Sequence, residues 1–162
     1  HLPSIFEFDF KRVKQQVEAN ARILAERISD SPQIHSMIPE QMEEALRDVI
    51  KEEPFIQLLA ITDLQGQRIT QVHAQRGEKG LFRALRKEDF SEHDWFRHVV
   101  ETGESYCSDL FVSKFTGALI TTAAYPIYDK KGNMVAVLDV DFKFEEMVKL
   151  LNRLPEDILE QE

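Results

Sequence analysis

From Ile5 to Ile28 the apolar residues Phe6, Phe10, Val13, Val17, Ala21 and Leu24 recur at steps of three or four, with Lys, Arg, Gln and Glu between them. That period predicts a long amphipathic helix. "SDSPQ" at 29–33 supplies turn residues, and Pro32 ends the run, while Pro39 suits the first turn of a second helix to about Lys51. "PFIQLLAITD" at 54–63, the turn "LQGQ" and the alternating "RITQVHAQ" predict a strand, a tight turn and a return strand. The stretch 77–90 is polar and Gly-flanked, and Ser91 is placed to cap a short helix over 92–101 that ends at Gly103. "ESYCSDLFV" reads as a middle strand. "GALITTAAYPIYD", "KKGN" and "MVAVLDVDF" form a second strand, turn and strand, and "KFEEMVKLLNRL" leaves as a helix. The echo of "TDLQG" in "YDKKG" reflects shared turn chemistry rather than a repeat.

This order predicts an α+β fold with an antiparallel sheet of about five strands, since the turns are too short for crossover helices. The chain divides into N-terminal helices (1–53), a sheet module (54–144) and an exit helix with a tail (145–162). The first helix is too long for one such sheet to cover its whole stripe, so a parallel homodimer through it is expected.

Composition narrows the class. At 162 residues, 43% hydrophobic and 30% charged, with six Gly and six Pro, the chain fits one globular domain. A net charge of −9, with Lys and Arg scattered, opposes a nucleic-acid partner. The single cysteine, Cys107, excludes an internal disulfide and a Cys-rich zinc site. No run approaches the ~18 apolar residues of a membrane span. "HLPSIFEF" lacks a signal-peptide profile and there is no initiator Met, so the sequence reads as a piece of a longer protein whose membrane helices and output domain lie elsewhere.

Candidate chemistry is densest in "EHDWFRH" at 92–98, around the only tryptophan. His93 and His98 are five apart, about 140° around a helix, so they diverge from any common metal ion. Asp94 and His98 share a face but read as an ion pair. No metal is expected. G-x-S-x-G, P-loop and GxGxxG motifs are absent, so neither a nucleophile nor a cofactor is signalled. In "MVAVLDVDF" the strand period puts Val135, Val137, Asp139 and Asp141 on one face and Ala136, Leu138, Val140 and Phe142 on the other. If the first face is exposed, the two acids are edge charges; if it lines a pocket, they attract an ammonium group or another cation. Trp95, Phe96, Phe111, Phe115 and Tyr125 cluster in the second half, and Trp95 and Tyr125 carry polar ends suited to a small ligand. His73 and His35 need no functional explanation.

Taken together, "PFIQLLAITDLQGQRI", the W-F pair before a Gly-terminated helix, "SDLFVSKFTG" and "YPIYDKKGNMVAVLDVDF" resemble the Cache family of extracytoplasmic sensor domains, also called PAS-like or PDC domains. The resemblance runs from about residue 10 to 151 and has the length of a single-Cache domain rather than a truncated tandem form. It implies a periplasmic module of an inner-membrane receptor, either a chemoreceptor, a sensor histidine kinase or a diguanylate cyclase or phosphodiesterase. Such a module binds an amine, amino acid or organic acid between sheet and loops. In amino-acid-binding members an R-x-W-Y stretch, a later Tyr and a last-strand Asp hold the ligand. The matching positions here are His93, Asp94, Trp95 and Phe96, then Phe111, then Asp141. Trp95 and Asp141 match; His93 in place of Arg lacks the guanidinium fork, which shifts the expectation toward a cationic ligand. The expected binding residues are His93, Trp95, Phe96, Phe111, Tyr125, Asp139 and Asp141. The alternatives are a ligand-free dimerisation module, a small enzyme using Asp139 and Asp141, and a cytoplasmic PAS-like domain.

Overall fold

The computed structural model describes residues 5–87 and 89–161, with side chains described for 9–83 and 89–152. The N-terminal pattern forms helix α1 (Ile5–Ser29). Its deepest line is Val17, Ala21 and Ala25, all fully buried, flanked by Val13, Leu24 and Ile28. Two alanines on that line let the helix axis lie close to the sheet. Phe10 is half exposed and meets Phe144 at 6.0 Å between ring centroids, while the side chain of Phe6 lies outside the described residues. Pro32 ends α1 as expected and also opens a further turn, α2 (Pro32–His35). His35 Nδ1 lies 2.7 Å from the Tyr128 carbonyl oxygen, which fastens this connection to the sheet. Pro39 then starts α3 (Pro39–Glu52), which buries Met42, Ala45, Leu46 and Ile50 at helical spacing.

The sheet has six strands among the described residues: β1 (Ile56–Thr62), β2 (His73–Ala74), β3 (Tyr106–Cys107), β4 (Phe111–Val112), β5 (Leu119–Tyr128) and β6 (Met134–Lys143). Their order is β2-β1-β6-β5-β3, all pairs antiparallel, and β4 also joins β5. Both expected turns are held by one aspartate each. Asp63 Oδ1 accepts the Gln65 and Gln67 N–H groups, both at 2.9 Å, and Asp129 Oδ1 accepts those of Lys131 at 2.9 Å and Asn133 at 3.0 Å.

Three local expectations are corrected. The return strand of the first hairpin shrinks to a bridge at Arg68 and the two residues of β2, because Thr70 Oγ1 takes the Ile61 N–H at 3.0 Å and deflects the chain. "ESYCSDLFV" is two short pieces at the sheet's edge, and the middle strand is β6. Ser108 follows the first of the two edge pieces, its N–H donating to the Thr122 carbonyl at 2.8 Å and its Oγ accepting the Thr122 N–H at 2.9 Å. Helix α4 runs Asp94–Thr102 with His93 at its N-cap, and Ser91 sits in the preceding 3₁₀ turn, capped by Asp89. The helix does end at Gly103, in the left-handed region at φ 71°. Residues Lys79–Lys87 form a 3₁₀ segment. The exit helix is α5 (Phe144–Gln161), and residue 162 of the tail lies outside the described residues.

Both faces of the sheet are covered. Ala136, Leu138, Val140 and Phe142 of β6 pack into the core with α1, α3 and α5, and Val137 joins the opposite cluster with Trp95, Phe96 and Val99 of α4. The face that carries Asp139 and Asp141 is therefore interior.

Candidate functional site

The register of β6 decides what surrounds the two acids. Asp139 lies between Ala60 of β1 and Ala124 of β5, and Asp141 between Leu58 and Thr122. Alanines on either side leave the space above Asp139 unfilled. That space is a cavity of about 420 Å³, floored by Asp139, Asp141, Leu58 and Thr122. Its walls come from His93, Asp94 and Trp95 at the start of α4, from Tyr106 and Ser108, and from a lid over 111–115.

Trp95 is held by its neighbours. Its ring meets Phe90 and His93 at 5.8 Å each and Phe96 edge-on at 6.0 Å. The lid is latched from below: the buried Gln57 amide donates to Ser113 Oγ at 3.3 Å, and its oxygen accepts Thr116 Oγ1 at 2.7 Å. Ser113 Oγ in turn accepts the N–H groups of Phe115 and Thr116, at 3.2 and 3.3 Å, and Phe115 rests on Phe82 at 5.0 Å. Gln57→Leu should cost about 1–3 kcal/mol, because the buried Ser113 hydroxyl and the half-buried Thr116 hydroxyl lose a partner. Hydrogen exchange at the Phe115 and Thr116 amides should speed up before exchange in β5 or β6 does; unchanged lid protection would contradict the latch.

The electrostatics of the floor are unbalanced. Asp139 is 6% exposed, and its Oδ1 is buried with no hydrogen-bond partner among the described residues. Burial, and next the neighbouring Asp141 charge, hold its carboxyl well above the usual range. Asp141 Oδ1 accepts Thr122 Oγ1 at 2.6 Å. Burial pushes Asp141 up to about 6, against the opposing pull of Thr122 and then His93.

Of the seven residues expected from sequence, His93, Trp95, Phe111, Asp139 and Asp141 converge on this cavity. Two do not. Phe96 packs behind Trp95 in the cluster beneath, and Tyr125 points the other way, among the partly buried residues packed on the helix-side core. There burial, then Glu26 of α1, raises the Tyr125 hydroxyl above its usual pKa. The reason is register: Ala124, not Tyr125, shares the face of Asp139. His98 also diverges from His93, meeting the Tyr106 ring in a tilted contact at 5.6 Å and opening onto a separate cavity. Sequence reasoning missed Lys114, Ser108 and Thr122. They sit in or opposite the "SDLFVSKFTG" loop that the family resemblance singled out, but which of its side chains turn inward depends on the fold.

An antiparallel sheet with long helices on one face, and a cavity under a helix and loops on the other, is a PAS-like fold. Residues 42–149 match the family described as methyl-accepting chemotaxis protein-like, first PDC sensor domain, and the chain belongs to that family. Among solved structures it is similar to the E. coli DcuS sensor domain, at 17% identity and a TM-score of 0.60 over 87% of this chain and 98% of that one. It is also similar to the ligand-binding domain of the Campylobacter jejuni chemoreceptor Tlp3 in complex with L-valine, at 13% identity and a TM-score of 0.53, over 88% of this chain and 56% of that one. A curated relative, named citrate (Re)-synthase, from Syntrophus aciditrophicus, is 30% identical over 150 residues, 92% of this chain. The chain spans about a quarter of that protein, 24% of its length. Among the described residues no helix is long and apolar enough to cross a membrane.

Proposed function

We propose that this sensor domain binds a small molecule bearing a protonated nitrogen, an amine or an amino acid, and that it does so as the extracytoplasmic part of a membrane-anchored signalling receptor. One observation carries the reading: a buried carboxylate oxygen without a partner, Asp139 Oδ1, on the floor of a cavity of ligand size. A buried carboxylate is stable only when paired. An ammonium seated between Asp139 and Asp141 supplies the missing donors, with Trp95 as an apolar wall for the rest of the ligand. Lys114, exposed on the lid, offers an amino acid's carboxylate a partner, a role that His93 fills poorly. An organic acid without an ammonium group would meet two anions. The Tlp3 domain complexed with L-valine is consistent with an amino-acid-sized ligand in this fold.

Transmission has a physical route as well. The segment that lines the cavity is tied to α1 through Lys14 to Asp109 at 2.6 Å and Arg22 to Ser105 Oγ at 2.7 Å. Phe111 and Val112 stand exposed at the mouth, 41% and 64%, where a ligand can draw them in. Closure of the 105–117 loop would then pull on α1, which touches α5 through Phe10 and Phe144. The ligand drives this only through its differential affinity for the two arrangements, typically about 1–3 kcal/mol. A homodimer through α1 and an output domain beyond this chain complete the proposal.

A thermal-shift screen with amines, amino acids, plain carboxylates and divalent ions at pH 7.5 tests it. A ligand at a hundred times its Kd should stabilise by about 2.7 kcal/mol, roughly 5–10 °C in Tm. Only ammonium-bearing compounds should do so. Stabilisation by plain carboxylates, or none by any class, would refute the reading.

A further inference from the structure

We propose that Asp139 and Asp141 hold a proton between them when the pocket is empty and release it when an ammonium group is seated, so that the domain takes its ligand by exchanging a proton for a cation. The inference rests on the amine reading above and adds a consequence to it: the sensor reports amine concentration against acidity.

The geometry supports the exchange from three sides. The two carboxyls are two residues apart on one face of β6, so their Cα atoms lie about 7 Å apart and the side chains rise in parallel. Two like charges at that distance under a protein roof do not both ionise freely. The second observation is independent of the pairing: Asp139 lines the cavity yet is only 6% exposed, and one of its carboxyl oxygens is buried without a partner among the described residues. The third is the inventory of neighbouring charge.

On β6 itself, Lys143 shares the face, but its Nζ is taken by Glu78 Oε1 at 2.8 Å, and Glu78 keeps a second buried oxygen without a partner. The 77–83 segment therefore contributes no net positive charge through this pair. From β1 come Leu58 and Ala60, and from β5 Thr122 and Ala124, none of which titrates in water. The start of α4 brings His93, which favours the ionised form of Asp141 and is not a free side chain, and Asp94, a further acid. Tyr106 stands at the sheet edge, its hydroxyl raised above its usual pKa by burial, and stays neutral. Lys114 on the lid is exposed, with its ammonium 5.2 Å from the Phe115 ring centroid. Helices α1 and α5 lie on the other face of the sheet. The floor thus has an excess of carboxylate, and a proton is the smallest cation that relieves it.

The step is balanced. The carboxyl O–H bond breaks, its proton goes to bulk water, and the ammonium N–H groups donate to both carboxylates in its place. Above about pH 6, where Asp141 is already ionised, one proton leaves per ligand, and below it a second can follow; nothing is oxidised or reduced.

Isothermal titration with n-butylammonium, putrescine and L-valine as probes, in two buffers of different ionisation enthalpy, reads the exchange. Between pH 6.5 and 7.5, where Asp141 is already ionised, the expected result is close to one proton released per bound probe, with affinity rising up to ten-fold per pH unit. Asp139→Asn, checked for folding by its melting curve, should abolish the release, while His98→Gln, at a histidine on a separate cavity, should leave it in place. A probe that binds with pH-independent affinity and no proton release overturns the exchange and spares the amine reading. Proton release that disappears in His98→Gln and persists in Asp139→Asn overturns the assignment to the acid pair. If none of the three probes binds at any pH from 5 to 8, the exchange and the amine reading fail together.

Discussion

Asp139→Asn should melt several degrees above the wild-type domain when both are free of ligand at pH 7.5, and should lose at least a hundred-fold in affinity for ammonium ligands. Asparagine keeps the shape of the side chain and has no carboxyl that must either take up a proton or stay charged beside Asp141. Its amide N–H is attracted to the Asp141 carboxylate at no such cost. A gain of about 1–3 kcal/mol is expected, roughly 2–4 °C for each kcal/mol. The pH dependence follows from the direction of the shifts. A carboxyl whose pKa is raised on folding binds its proton more tightly in the native state, so its favourable contribution is complete below the ordinary value near 4. That contribution is lost as pH rises to about 6 for Asp141, and higher for Asp139. The advantage of the Asn variant should therefore be small at pH 4.5 and large at pH 7.5. A variant that melts below wild type at pH 7.5 would mean that Asp139 is satisfied by a partner and is not poised for a ligand. Stability given up at a binding site is the usual cost of function.

Gly66→Ala should be the most damaging of the glycine-to-alanine changes, costing about 3 kcal/mol or more. Gly66 has φ +86°, where a side chain is strained, and an added Cβ would lie 2.5 Å from Ser91 N and 2.7 Å from Ser91 Cα. Those are backbone atoms and cannot rotate aside. The contact is structural as well as steric, since the Gly66 carbonyl accepts the Phe90 N–H at 3.1 Å. Through it the first hairpin turn positions the segment that carries Phe90 and His93 to the cavity wall. Gly77→Ala is the control: its φ is +89°, but nothing lies within 4 Å of an added Cβ. It should cost only about 1 kcal/mol. Urea midpoints for the three proteins separate the two contributions, and equal losses in both variants would remove the docking role of Gly66.

The parts of this fold legible in the sequence are those with a clean period or a fixed turn chemistry. Helices α1 and α3, the two aspartate-held turns and the common face of Asp139 and Asp141 all follow from spacing. Strand β5 is different. "LITTAAYPIY" is buried on both faces, so its sequence does not alternate and does not say which side meets Asp139. That ambiguity put Tyr125 in the expected pocket, although the register gives that place to Ala124. Phe96 was misplaced for a related reason: adjacent aromatics on a short helix cannot both face one cavity, and the sequence does not rank them. Strands β3 and β4, two residues each, are too short to carry a period. The Gln57 latch joins residues more than fifty positions apart, a partnership that only the folded chain creates. The family resemblance pointed to a loop and two acids that line the cavity, and the register shows which of their neighbours meet there.

The most direct test of the central claim, that the acid pair above β6 is a seat for an ammonium group, is carboxyl ¹³C NMR of Asp139 and Asp141 through a pH titration, with and without a ligand found by the thermal screen. The account predicts that in the free domain the pair titrates well above the ordinary aspartate range, with Asp141 at about 6, and that saturating ligand moves both midpoints down while shifting both carboxyl resonances. Two carboxyls that titrate near 4 in the free domain, and whose resonances and midpoints are untouched by the bound ligand, would contradict it.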